Sequence, residues 1–242
     1  KAIIINNNNY DNNNNLLIKK YRIKYILDNL KYKREYYSNI LIIFLTKEFL
    51  EIDKIIDICQ IIENNEFLTT VIILINSDLD SNSNYISFKN LRYIFNTIKF
   101  NKNIISVLFA SLSTKDYYIN LPLEVIESFI NMMSKDRLNF IGINKIQISE
   151  KNAKKFLTVL SSLEKVKFLL INVHCQLIKA EMICESLYKK GKVRALVIGG
   201  VDFESEIDYE ENSDNDINNN NGIGITIRKD LENFDDLGLI FK

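Results

Sequence analysis

Six short apolar runs recur along the chain, and their spacing constrains the fold more than any other feature. They lie at residues 40–45, 71–75, 105–109, 138–143, 166–171 and 193–198. Each is followed by a loop and then by apolar residues three and four apart, the period of a helix with one buried face. Taking Ile43, Val71, Val107, Ile141, Leu169 and Leu196 as markers, the steps are 28, 36, 34, 28 and 27 residues. The two long steps hold loop insertions around residues 78–85 and 114–121. A strand-plus-helix unit of about 28 residues therefore repeats.

The ends fit the same period. Residues 2–5 read as an earlier strand once the asparagine-rich insertion at 6–15 is removed, with its helix over 16–33. A second insertion, polar and acidic, covers 204–221. After it, Ile227, Leu231 and Phe234 keep helical spacing, and 237–241 read as a last strand; the alternative puts that strand at 223–227. The expectation is one repeat domain, residues 1–242, with about seven repeats. It is expected to be a fragment of a longer chain, because it opens without Met and shows no polar capping repeat. Ser87 and Ser149 are candidate N-caps, Pro122 suits a first helical position and Gly191 a helix end. Two helix faces read Ala153, Phe156, Leu157, Leu160 and Met182, Ile183, Leu187.

Composition narrows the function classes. Lys+Arg and Asp+Glu both number 31, so there is no basic excess to hold nucleic acid or an anionic membrane. Hydrophobic residues make up 47%, enough for a core. One Pro, seven Gly and no Trp, with abundant Ile and Asn, look like the coding bias of an AT-rich genome. Cys59, Cys175 and Cys184 form no CxxC pair, which suits reduced thiols in an intracellular, cytoplasmic setting. No apolar run approaches the ~20 residues of a membrane span, and there is no signal-peptide pattern.

The apolar triads carry a family resemblance. Leu68, Val71, Ile73 and Asn76 match the pattern L-x-x-L-x-L-x-x-N/C, with Ile standing for Leu. Leu138, Ile141, Ile143 repeat it with Ile146 at the Asn place; Val166, Leu169, Ile171 with His174 beside Cys175; Val193, Leu196, Ile198 with Val201. This resembles leucine-rich repeats of the ribonuclease-inhibitor-like subtype. The resemblance implies an α/β solenoid, parallel strands on the concave face and helices outside, used chiefly to bind proteins. The asparagine ladder of that family is mostly missing, so these turns must close another way. The competing fold is a doubly wound α/β sheet, which also alternates strand and helix. It would leave strands buried on both faces, but no glycine-rich strand-to-helix turn is present for a phosphate.

Period-two geometry assigns strand faces. If Val71/Ile73, Ile141/Ile143 and Leu169/Ile171 face the core, then Phe44, Ile72, Leu108, Leu170 and Val197 form one column on the open face. Ile42, Phe140, Phe168 and Ala195 form its neighbour. Such an apolar sheet is larger than monomers usually expose: it marks a protein-binding surface with Phe anchors, or else coding bias filled it with Ile and Phe or another segment of the chain covers it.

Other candidates have blander readings. The basic, aromatic stretch 19–37 could suit RNA, but Ile23, Ile26, Leu27 and Leu30 supply a buried stripe and leave its charges as a solvated face. The acidic stretch 204–216 lacks the order of an EF-hand loop and reads as a self-repelling insertion. The Asn runs read as loop insertions. His174 and Cys175 are adjacent on a strand end, so they point apart and form no nucleophile–base pair. The sequence therefore predicts a non-catalytic interaction scaffold without cofactor or metal, in a multi-subunit complex with protein partners. An alternative is a Ran-type GTPase-activating regulator, for which Lys47, Lys115, Lys145 and Gly199-Gly200 are poor material. A third is an α/β enzyme with a ligand at the strand carboxyl ends.

Overall fold

The computed structural model describes residues 2–5, 38–45, 50–75, 88–112, 118–135, 137–188, 193–199 and 224–227. Among the described residues nine strands form one sheet: β1 Ala2–Ile5, β2 Ile40–Leu45, β3 Thr70–Ile75, β4 Ser106–Ser111, β5 Ile119–Asn120, β6 Phe140–Gln147, β7 Phe168–His174, β8 Ala195–Gly199 and β9 Gly224–Ile227. Among the described residues five helices lie between them: α1 Ile52–Asn64, α2 Leu91–Phe100, α3 Leu123–Met133, α4 Glu150–Ser162 and α5 Ala180–Tyr188. Every pairing is parallel, and the order is β1-β2-β3-β4-β6-β7-β8-β9, with the short β5 beside the end of β6. Strands thus follow chain order. A doubly wound sheet reverses its order once, at a switch point; the described strands show no reversal.

One apolar core runs from Ile3 to Ile198. It takes alternate residues of the strands from β1 to β8, such as Leu41, Ile43, Val71, Ile73, Ile141, Ile143, Leu169 and Ile171, and the inner faces of the five described helices. Neighbouring helices pack in the same sequence, α1 on α2 through to α4 on α5. Phe95 of α2, Phe109 of β4 and Phe129 of α3 meet at its centre, with ring centroids 5.0–5.5 Å apart. Edge contacts of that kind add to burial.

The backbone repeats as strictly as the side chains. Asn39 O accepts the N–H groups of both Thr69 and Thr70, and Thr69 O those of Ile105 and Ser106. Ile105 O does the same for Asn139 and Phe140, Asn139 O for Lys167 and Phe168, and Lys167 O for Arg194 and Ala195. Each strand entry is therefore fixed by the entry before it.

Side chains close the turns that lead from helix to strand. Asn65, just past α1, donates to Ser38 O (3.2 Å) and accepts from Phe67 N–H (3.1 Å). Asn101, just past α2, repeats this with Ile62 O and Asn103 N–H, both at 2.8 Å. After α3 a lysine takes over: Lys135 Nζ donates to Ile98 O (3.0 Å), Asn101 O and Ile104 O (2.8 Å).

Several local expectations need correction. The register pairs Ile43 with Ile73, not Val71, so the first step is 30 residues. Ser149 stands at the α4 N-cap, but its side chain makes no cap bond. Pro122 is the N-cap residue of α3, one place before the expected position, and its carbonyl accepts from Val125 and Ile126. Met182 is exposed on α5, because the core is reached by Ile183 and Leu187 instead. The last described strand is the alternative one, β9. The expected helix at 16–33, Ser87, Gly191, the strand at 237–241, both low-complexity insertions and the basic stretch lie wholly or mainly outside the described residues.

Burial, with the Arg137 charge adding to it, pushes the Lys135 amine down to about 8 from its ordinary 10.5. Removing three charge-assisted bonds by Lys135→Met should cost roughly 2–3 kcal/mol at neutral pH. Between about pH 8 and 10.5 the unfolded chain holds this proton and the folded chain has released it, so stability rises with pH. The urea midpoint of the wild type should gain on that of Lys135→Met across this window.

Candidate functional site

The sheet face opposite the helices is built in rows. The first contains Ile40, Thr70, Ser106, Phe140, Phe168 and Ala195. The middle row contains Ile42, Ile72, Leu108, Gly142, Leu170 and Val197. The third contains Phe44, Leu74, Ala110, Asn144, Asn172 and Gly199. All seven expected binding residues lie on this face, but Phe44 belongs beside Leu74 rather than Ile72. The two-residue slip at β2 preserved the face and displaced the row, as the period-two geometry of a strand requires.

Exposure is less uniform than the sequence implies. Phe44, Ile72 and Val197 are half-buried and Phe168 is 42% exposed, whereas Leu108, Phe140 and Leu170 are buried. Gly142 explains part of this. A Cβ there would lie 2.5 Å from Leu108 Cδ1 and 3.2 Å from the Phe140 ring, so both neighbours occupy the space a side chain would fill. Leu74, Leu108, Ala110 and Phe140, flanked by Ile42, Phe44, Ile72 and Leu112, thus make a second, smaller apolar cluster on this face.

The third row turns polar halfway. Asn172 Nδ2 donates to Asn144 Oδ1 at 2.7 Å, and Tyr118 Oη donates to Asn172 Oδ1 at 2.9 Å. Tyr118 also lies against His174, with ring centroids 5.5 Å apart and the rings tilted by 38°. Buried amides held this way fix the side chains of adjoining strands relative to each other. Sequence reading missed this group because the Asn residues fall inside apolar runs, and Tyr118 comes from an insertion.

Lys145 lies between Asn144 and Ile146 as an extra residue of β6, where the pairing with β7 slips by one. Its φ is 54° and it is buried, so it is not presented from a loop. Bulges of this kind admit an additional residue by a local left-handed turn. Ile146, expected at the turn asparagine's place, then enters the core. Of the other lysines named for a GTPase-directed cluster, Lys47 and Lys115 lie outside the described residues.

His174 is exposed at the end of β7, while Cys175 is buried in the main core. Burial raises the thiol pKa of Cys59, which Thr97 partly offsets, and of Cys184. Such thiols are weak nucleophiles. Among the described residues no helix is long and apolar enough to cross a membrane.

No family model matches the chain, and no curated protein does. Among solved structures, the chain is similar to one titled Leiomodin-1 Actin-Binding Site 2 (ABS2), at 14% identity and a TM-score of 0.46. The alignment covers 68% of this chain and 87% of that one.

Filling the Gly142 gap tests the packing of the face. Gly142→Ala should lower stability by roughly 1–2 kcal/mol, because Leu108 and Phe140 must move from their present positions. Gly142→Val should cost more, and equilibrium denaturation would order the two.

Proposed function

We propose that the chain is a leucine-rich-repeat solenoid acting as a non-catalytic protein-interaction scaffold, which binds a protein partner through the open face of its sheet. One observation carries this reading: helices and core occupy one sheet face, while the other holds apolar rows with Phe168 42% exposed. Repetition supports the solenoid. Consecutive strands pair in chain order, and one carbonyl per unit fixes the start of the next. Such architectures offer extended surfaces for macromolecules. A half-buried aliphatic floor with an aromatic anchor suits protein surface, since interface energy concentrates in a few buried aromatic residues. The polar Asn144–Asn172–Tyr118 group borders that floor and would orient the partner.

Phe168→Asp is the direct test, because this side chain stands out from the sheet and its loss leaves the core intact. The melting curve should be unchanged, and partner affinity in cross-linking pull-downs should fall by tenfold or more. Cross-links should map to β6–β8 on the sheet face. Unchanged capture by Phe168→Asp, or cross-links confined to the helices, would refute this assignment.

A further inference from the structure

The outer surface carries a second apolar feature, away from the sheet. Of the eight exposed large hydrophobic side chains among the described residues, four line one groove between α1 and α2: Ile52, Ile56, Tyr93 and Phe100. Phe100 is 78% exposed, the most of any of the eight. We propose that this groove is the contact surface of a symmetric dimer of the chain itself.

The argument is one of self-complementarity. Helices α1 and α2 run side by side in the same direction. Asn90 joins their starts through Leu50 O at 2.8 Å, and Asn101 joins their ends through Ile62 O at 2.8 Å. The α1 wall therefore presents Ile52 and Ile56 at one end and Glu63 at the other. The α2 wall presents Tyr93 at the first end, and at the second Phe100, followed by Lys102. A two-fold axis lying along the groove keeps the ends together and exchanges the walls. It sets Ile52 and Ile56 of one copy against Tyr93 of the other, and Glu63 against Lys102. Each Phe100 then comes down on α1 of the second copy, near Cys59 and Gln60. An axis across the groove does the opposite: it stacks α1 on α1 and brings Glu63 against the isoleucines. Closed two-fold pairing is the commonest form of association for identical chains, and the charges of this surface match in one of its two settings.

Sedimentation equilibrium of the 242-residue chain over a micromolar concentration series tests this. The wild type should dimerise, and Phe100→Asp should be monomeric while keeping the far-ultraviolet circular dichroism of the folded chain, since that ring is 78% exposed and outside the core. Lys102→Glu should weaken the dimer by about tenfold through like-charge contact, and adding Glu63→Lys should restore it. A chain monomeric throughout overturns the proposal, even if another protein occupies the groove. So does a dimer indifferent to Phe100→Asp, or a charge-reversed pair that stays folded and fails to recover.

Discussion

The whole sheet hangs on one backbone interaction, repeated five times. A single carbonyl before each strand accepts two N–H groups from the unit that follows, in the series Asn39, Thr69, Ile105, Asn139 and Lys167. Because that contact sets the height at which the next strand begins, all later residues fall into rows. Rows, in turn, decide which side chains share the core and which share the open face. The connections between strands vary in length, yet the rows persist, because the doubly accepting carbonyl holds the strand starts level.

Holding the starts level leaves the other end of each unit to be closed separately, and the chain uses whatever donor it has there. Asn65 and Asn101 do it with a side-chain amide, while Lys135 reaches three carbonyls with one ammonium. A cation in this place is partly stripped of water, which explains its lowered pKa. That cost is accepted because an unpaired buried carbonyl is also expensive.

Most of the architecture was legible in the spacing of apolar runs, and so was the assignment of strand faces. Alternation survives an error of two residues, which is why Phe44 was put on the correct face and in the wrong row. Exposure was not legible. A strand pattern says which way Leu108 points, but not that Gly142 leaves room for it to lie down. The bulge at Lys145 was hidden for a related reason: one extra residue shifts Ile146 back into the core, and no composition signal marks it. The groove between α1 and α2 escaped because helical periodicity announces the inner stripe, while Ile52, Ile56 and Phe100 sit just outside it.

A sheet in which the main strand of each repeat unit pairs with those of the units before and after it also has a mechanical character. Tension applied between the two ends of such a chain meets the hydrogen bonds of one pairing at a time, so the terminal unit peels before the next one is loaded. Resistance is then a series of modest steps rather than one large rupture, and the molecule can yield in part and re-form. The Phe95–Phe109–Phe129 cluster, bridging β4 with α2 and α3, would be the firmest of those steps. Under such a load the interior of the described sheet would act as its anchor and its outermost pairings would yield first.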